Sequence, residues 1–320
     1  MKNPTPTAQK ASPAAIGAAL MCVYFFWGST YVAIRFAIET MPPFWMAGIR
    51  FLIAGSALYL FRRWRGDRAP AGREWASAAL LGAMLLVCGN GAVVWAEQYV
   101  PSGITSLLIA TTPLWLTIIS SLLTRKLPGF GSLAAVLLGF GGILLLINPW
   151  QQDGSIHLPG ALAINTSAML WAVAPLIARR LPRSSSPLLE TSMEMLAGGA
   201  GLTILATLNG DWARVDLAAI SLRSLGGMAY LIIFGSLVGF SAYSFLLTAA
   251  PPPVVATYAY VNPMVAIAVG ALLAGEVITP RVLAAAIVIV SSVVLINLGE
   301  HKKTQVVPDP AEIEQAGRAE

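Results

Sequence analysis

Charged residues are scarce in this sequence, and their scarcity excludes an ordinary soluble protein. Only 11% of the 320 residues are Asp, Glu, Lys or Arg, whereas a soluble domain has about a quarter. At the same time 57% of the residues are hydrophobic and the mean hydropathy is +0.72. Too few charges are available to cover a water-exposed surface, so we expect the lipid bilayer to be the chain's main partner.

Histidine and cysteine are almost absent, with two residues of each. His157 lies in a predicted loop and His301 in the tail, while Cys22 and Cys88 lie inside apolar runs, where small packing residues are expected. The sequence contains no HExxH motif and no clustered carboxylates. We therefore expect no catalytic residues, no metal site and no cofactor, and a membrane enzyme ranks low among the candidate classes.

Long apolar runs are abundant, and short breaks rich in Pro, Gly or charge separate them. The runs are continuous, not alternating, and each is about long enough for a helix to cross a bilayer. We predict an all-α integral membrane protein with ten transmembrane helices, preceded by residues 1–13 and followed by a disordered tail, 299–320. The predicted spans are 14–37, 43–61, 74–97, 101–123, 131–148, 159–179, 187–208, 223–247, 253–274 and 280–298.

The distribution of Lys and Arg predicts the orientation, because cytoplasmic loops of membrane proteins carry an excess of both. Most of them fall on one side of the ten spans, including the arginine-rich loop 62–73. We expect both termini in the cytoplasm and the protein in the cell (inner) membrane. Since the arginines flank hydrophobic segments, the net charge of +5 does not indicate a nucleic-acid partner.

The chain repeats itself. FWGSTYVAIR at 26–35 aligns with LWAVAPLIAR at 170–179, and similar offsets hold over several further helices. The aligned pairs are Trp27 with Trp171, Arg35 with Arg179, Arg50 with Glu194, Pro101 with Pro251 and Pro113 with Pro263. We predict two five-helix repeats, 14–148 and 159–298, of which the second is inverted because five is odd. Inverted repeats are typical of secondary transporters, whose site lies between the repeats near the midplane.

Several of these stretches resemble a known family. WGSTYVAIR, PPFWMAGIRFLIAG, GNGAVVWAEQYVPSGIT and ATYAYVNP resemble the EamA-type family of drug/metabolite transporters, and within it the YedA-like branch. The resemblance covers residues 14–298 and implies a ten-helix inverted-repeat fold that moves small metabolites, often outward; the family includes amino-acid exporters. Gly275-Glu276 keeps the Gly-Glu pair that follows the fourth helix of a repeat, whereas the first half has Arg125-Lys126.

Polar and aromatic residues inside the spans are the candidates for a small-molecule site. Aromatic and hydroxyl side chains share a face of the first helix, Asn90 lies between two glycines, and Pro113 and Pro263 predict kinks that act as hinges. The predicted substrate-binding residues are Trp27, Thr30, Tyr31, Asn90, Thr111, Thr112, Asn165, Trp171, Tyr243, Tyr258, Tyr260 and Asn262. Helix packing and capped kinks are the alternative explanation. Such a pocket would be aromatic and uncharged, which suits mid-sized amphipathic solutes better than sugars or phosphates.

Five charges inside the spans need partners or water, because an isolated charge in a bilayer is costly. Arg35, Arg50 and Glu97 fall near one end of their helices, whereas Arg179 and Glu194 fall near the other. We hypothesise two ionic gates, Arg50 with Glu97 and Arg179 with Glu194; snorkelling without a role in transport is the alternative. A coupling proton on Glu97 is a further hypothesis, although a neighbouring arginine would keep this carboxylate ionised.

The sequence as a whole favours a secondary transporter of small metabolites, an exporter of amino acids or similar amphipathic solutes. A membrane receptor or assembly protein without transport activity is the alternative. A channel is disfavoured because the sequence has no filter-like loop or ring of like charge. One chain holds both repeats, so we expect it to function as a monomer.

Overall fold

The computed structural model describes residues 11–125, 127–148, 156–184 and 186–305, and within these ranges the regular structure is entirely helical. Single helical turns at Asp211–Arg214 and Pro252–Val255 precede α8 and α9. The long helices are α1 (Pro13–Ala37), α2 (Pro43–Trp64), α3 (Gly72–Ala96), α4 (Ser102–Thr124), α5 (Phe130–Ile147), α6 (Leu158–Ala178), α7 (Pro187–Leu208), α8 (Leu222–Ala249), α9 (Tyr258–Ala274) and α10 (Pro280–Gln305).

The predicted helix positions agree with these bounds to within a few residues at nearly every end. One exception is α9, which begins at Tyr258 and not at residue 253. The other is α10, which continues past residue 298 to Gln305, so the first part of the predicted disordered tail is helical. Residues 1–10 of the predicted N-terminal segment and 306–320 of the tail lie outside the described residues.

Local chemistry explains where several helices begin. The Ser12 hydroxyl accepts the N–H of Ala15 at 3.2 Å, and Pro13 occupies the first turn of α1. His157 Nδ1 accepts the N–H of Gly160 at 3.1 Å at the start of α6. Side-chain acceptors satisfy N–H groups that a helix leaves unpaired at its start, and proline there loses no hydrogen bond.

Glycines allow two helix pairs to approach closely, α2 with α7 and α5 with α10. A Cβ atom on Gly55 would lie 2.9 Å from Met195 Cβ, and one on Gly142 would lie 2.7 Å from Ile289 Cγ1. Lipid tails are as apolar as leucine, so close van der Waals contact through small residues holds such helices together.

The outside of the bundle is apolar. Leu60, Leu137 and Ile204 are 66%, 64% and 62% exposed, which would be unfavourable in water but suits contact with lipid. Among the described residues, seven helices are long and apolar enough to cross a membrane, and α9 and part of α10 are shorter apolar helices. The protein is therefore a multi-pass membrane protein.

Charged and polar contacts lie at both ends of the bundle, which we name the Glu190 end and the Glu276 end after a carboxylate at each. At the Glu190 end, Arg183 Nε donates to Glu190 at 2.8 Å, and Arg62 donates to Asp67 at 2.8 Å in the loop between α2 and α3. The hydrogen bond from Arg62 lowers the pKa of Asp67 below its usual range. At the opposite Glu276 end, Glu276 contacts the start of α4.

Part of α1, α3 and α8 is π-helical instead of α-helical. The π-helical stretches are Val23–Trp27, Ala83–Asn90 and Leu231–Val238, and a glycine follows each of them. Such stretches are often found at functional sites. Hydrophobic periodicity does not reveal them.

Both helices predicted to be kinked are interrupted, but only one at the predicted place. In α4 the break at Ala110–Thr111 separates Ser102–Ile109 from Thr112–Thr124, immediately before Pro113. In the second half the interruption falls between Val255 and Tyr258, and Pro263 lies inside the continuous helix α9. The interruption therefore follows the proline run 251–253, which lies at the start of a single turn where proline loses no hydrogen bond.

Candidate functional site

An aromatic cluster occupies the middle of the bundle, with Trp27 of α1 at its centre. The Trp27 ring lies 4.9 Å from Tyr243 and 5.2 Å from Phe240, both on α8, measured between ring centroids. It lies 5.7 Å from Tyr258 of α9 and 6.3 Å from Trp171 of α6, in edge-to-face arrangements. Four of these five residues were predicted as substrate-binding, and the fold brings them together.

One glycine inside a π-helical segment, Gly89, and one directly after another, Gly239, make room for the two tryptophans. A Cβ atom on Gly89 would lie 3.0 Å from Trp171 Nε1, and one on Gly239 would overlap Trp27 Nε1. Trp27 Nε1 donates to the Gly235 carbonyl at 3.2 Å. Phe240 and Gly239 were missed by the sequence analysis. Gly239 could have been found, because the offset that pairs Pro101 with Pro251 also pairs Gly89 with Gly239.

Two of the predicted amides have a buried oxygen that accepts no hydrogen bond from the described part of the chain. Asn90 Oδ1 and Asn262 Oδ1 have no hydrogen-bond partner among the described residues. Asn262 lies where α9 crosses α1, because a Cβ atom on Gly28 would be 3.1 Å from the Asn262 carbonyl oxygen. Since most buried polar atoms in proteins are hydrogen-bonded, these two are available to a ligand.

The other predicted substrate-binding residues are engaged elsewhere. Asn165 Oδ1 accepts the indole N–H of Trp115 at 2.8 Å. Tyr260 makes no ring contact with the aromatic cluster in the described part of the chain and lies near Tyr24 instead. Tyr31 packs against the main hydrophobic core and lies within electrostatic range of Glu97.

The three predicted threonines use their hydroxyl groups within their own helices. Thr30 donates to the Trp27 carbonyl at 2.6 Å. Thr111 and Thr112 donate to the carbonyls one turn earlier, at 2.6 and 2.7 Å, on both sides of the break in α4. In this conformation these hydroxyls stabilise an interrupted helix, which is the alternative explanation considered for them.

Glu276 is the most connected charge at its end of the bundle, although the sequence analysis gave it no role. Its carboxylate accepts the backbone N–H of Ser102 at 2.8 Å and of Gly103 at 3.0 Å, and Arg35 Nη1 donates to it at 3.2 Å. A carboxylate at a helix start satisfies free N–H groups and interacts favourably with the helix dipole. Glu276 therefore ties the end of α9 to the start of α4 and to α1.

A small cavity adjoins this contact. It has a volume of about 240 Å³, and its lining includes Arg35, Glu276, Ile104 and Ile267. It lies at the Glu276 end of the bundle, away from the aromatic cluster, and its lining includes residues from both halves of the chain.

Neither predicted ionic gate is formed as an ion pair among the described residues. Arg50 Nε donates instead to Ser236 at 3.0 Å, and both oxygens of Glu97 have no hydrogen-bond partner there. At the other end Arg183, not Arg179, binds a carboxylate, and this carboxylate belongs to Glu190, not to Glu194. Arg179 is exposed and lies just after the last residue of α6.

Comparison with known proteins gives a match to a transporter family. The model of the EamA-like transporter family matches residues 15–148 and 158–298. YedA of Escherichia coli K12, an uncharacterized inner membrane transporter, is 38% identical over 88% of this chain and 90% of its own length. A chloroplastic WAT1-related protein of Arabidopsis thaliana is 28% identical over 88% of this chain and 69% of its own length.

A solved crystal structure has the same overall fold. It aligns with a TM-score of 0.60 over 90% of this chain and 98% of its own, at 16% identity. The likeness extends to almost the whole of both chains, so the fold described above is shared by a protein of distant sequence.

Proposed function

The chain belongs to the EamA-like transporter family, and on that basis we propose that it is a secondary transporter of small metabolites working by alternating access. The observation that supports this proposal best is the contact of Trp27 with Trp171. They occupy aligned positions in the two matched halves, 15–148 and 158–298, so a central site receives one equivalent side chain from each half.

We propose that all ten helices span the membrane, as two inverted five-helix repeats. Each matched half contains five of the long helices, and an odd number places equivalent helices in opposite directions. α2 with α7 and α5 with α10, which occupy equivalent places in the two halves, pack against each other. Movement of one repeat against the other would open the central site to each side in turn.

The proposed substrate is an amino acid or a similar amphipathic solute, and the proposed direction is export. The rings of Trp27, Trp171, Tyr243 and Tyr258 offer an apolar surface, while the unused oxygens of Asn90 and Asn262 offer acceptors. Ligand sites of this kind combine an apolar lining with a few placed polar groups.

The proposed orientation places the Glu190 end in the cytoplasm, together with both termini. This end carries the arginine-rich loop 62–73 and Arg183, and an excess of Lys and Arg is typical of the cytoplasmic side. The Glu276 end then faces outward. In this conformation the contacts of Glu276 with Arg35 and Ser102 would close the outer entrance. We propose that the protein functions as a monomer.

Uptake into liposomes by the purified protein tests the proposed function. We would offer a panel of labelled amino acids and amphipathic amines, with and without a pH gradient, to wild type and Asn90→Ala. Asn209→Ala is the matched control, because this amide is exposed and bound to Asp211. We expect saturable flux that Asn90→Ala loses and Asn209→Ala keeps. Flux that depends on the gradient would identify Glu97 as the next residue to replace. No flux for any solute would favour the receptor alternative.

A further inference from the structure

Arg50 and Glu97 are buried residues of opposite charge that form no direct ion pair in the described part of the chain. We call them the charge pair. Each residue is only 3% exposed, and each interacts electrostatically with the other. Even so, no ion pair joins them within the described residues, and Arg50 Nη1 and both oxygens of Glu97 lack a hydrogen-bond partner there. Opposite charges buried so close together are expected to bind each other or a third group.

The described surroundings hold Arg50 in place and leave hydrogen-bonding atoms of both residues unused. Arg50 is fixed by the hydrogen bond from Nε to Ser236 Oγ at 3.0 Å, and its guanidinium lies 4.6 Å from the Phe51 ring centroid. Ser236 belongs to the π-helical stretch of α8, so this irregular segment positions the arginine. The other charges nearby, Arg35 and Glu276, bind each other and leave Glu97 without a direct partner.

The chemistry of the unused atoms specifies what they could bind. Arg50 Nη1 is a cationic donor and binds an anionic acceptor such as a carboxylate more strongly than a neutral one. Glu97 offers two acceptor oxygens, and Asn90 Oδ1, seven residues earlier on the same face of α3, offers a third. A primary ammonium group supplies three N–H donors.

We propose that Arg50 and Glu97 bind the head group of a zwitterion, with the carboxylate on Arg50 and the ammonium on Glu97. This proposal rests on the proposed transport function and adds to it the residues that recognise the head group. Glu97 interacts with Tyr31, and Tyr31 with Tyr258 of the aromatic cluster. In this assignment the side chain of the bound solute points from the charge pair towards the aromatic cluster around Trp27.

Removing the same contact from the ligand and from the protein tests this assignment. The twenty common amino acids are first screened for thermal stabilisation of the wild-type protein in detergent. The strongest binder is then compared with its decarboxylated amine and its deaminated acid; for phenylalanine these are 2-phenylethylamine and 3-phenylpropionate. We expect wild type to bind the zwitterion at least about tenfold more tightly than either, since each analogue loses one charge-assisted hydrogen bond.

Each variant should remove one of the two preferences, for the zwitterion over the amine or for the zwitterion over the acid. In Arg50→Gln the zwitterion and the amine should bind equally, while the preference over the acid remains. In Glu97→Gln the zwitterion and the acid should bind equally, while the preference over the amine remains. The matched controls are Arg223→Gln and Glu39→Gln, an exposed ion pair at the same end of the bundle, and both should keep the wild-type pattern. Arg50→Lys keeps the charge and reports on binding if Arg50→Gln does not fold.

The outcomes separate this proposal from the transport function. If saturable flux occurs but both variants keep the wild-type preference for the zwitterion, Arg50 and Glu97 do not bind the head group, while transport stands. The same conclusion follows if no amino acid binds and another class of solute is carried. If no solute at all is carried or bound, the transport function fails and this site fails with it.

Discussion

Trp27 and Trp171 meet edge to face, with ring centroids 6.3 Å apart, and each rests on a glycine from the other half of the chain. Trp27 lies against Gly239 of α8, and Trp171 against Gly89 of α3. Because these two glycines are also aligned positions, the central contact is made twice in equivalent form. A side chain on either glycine would displace one tryptophan and leave the other in place.

Gly239→Ala is expected to reduce both stability and transport. A Cβ atom at this position overlaps Trp27 Nε1, and overpacking of this kind typically costs about 1–3 kcal/mol. We expect a lower melting temperature in detergent and reduced flux in liposomes. Gly89→Ala should have a smaller effect, because its Cβ atom would lie 3.0 Å from Trp171 Nε1.

The same helix provides the control for this substitution. Gly226 of α8 has no atom within 4 Å of an added Cβ, and alanine is favoured over glycine in a helix by about 1 kcal/mol. Gly226→Ala should therefore leave flux unchanged and keep or raise the melting temperature. An equal loss of flux in Gly226→Ala and Gly239→Ala would show that α8 tolerates no substitution, and the contact with Trp27 would not be the cause.

Glu276→Gln is expected to weaken closure at the Glu276 end. The neutral amide loses the ion pair with Arg35 and the charged interaction with the N–H groups of Ser102 and Gly103, and a helix cap is worth roughly 0.5–2 kcal/mol. We expect faster labelling by a thiol reagent of a single cysteine at Ile104, which lines the adjacent cavity. Cys22 and Cys88 would be replaced beforehand.

Glu39→Gln is the control for Glu276→Gln, since Glu39 pairs with Arg223 at the same end but is 38% exposed. Surface ion pairs contribute little, so labelling at Ile104 should keep the wild-type rate. If Glu276→Gln also leaves the labelling rate unchanged, the carboxylate does not hold this end closed.

Charge exchange distinguishes the ion pair in the structure from the one predicted by the sequence. Arg183 binds Glu190 with both carboxylate oxygens 2.8 Å from Nε. Exchanging these two residues should restore part of the melting temperature lost in Arg183→Glu or Glu190→Arg alone. Exchanging Arg179 and Glu194 should restore none, because these residues do not pair. Rescue of the Arg179 and Glu194 variants during transport would indicate that they pair in another conformation.

The helices were predictable from sequence because each needs only a long apolar run between breaks, and the bilayer leaves few other structures possible. The central aromatic cluster was also predictable in large part, since the repeat places Trp27 and Trp171 at equivalent positions. The partners of the charged residues were less predictable from sequence. Arg179 and Arg183 lie one turn apart in sequence, and only the turn after α6 decides which of them reaches α7.

The π-helical segments could not be read from hydrophobic periodicity, because they shift the register of a helix over only a few residues. One such segment carries Ser236, which accepts a hydrogen bond from Arg50, and Gly235, whose carbonyl accepts the Trp27 indole N–H. Glu276 was recognisable as part of a Gly-Glu pair, but its function as a cap for α4 depends on contact between distant parts of the chain.

Asn165 provides a test of whether a predicted binding residue is structural instead. Its Oδ1 accepts the Trp115 indole N–H at 2.8 Å, which joins α6 to α4 across the middle of the bundle. Hydrogen bonds between transmembrane helices contribute about 0.6 kcal/mol on average and up to about 1.7 kcal/mol. Asn165→Ala and Trp115→Phe should each lower stability, and the double variant should lose less than the sum of the two. The apparent KM for the transported solute should stay at its wild-type value in Asn165→Ala. A rise in KM without a loss of stability would instead return Asn165 to the substrate site.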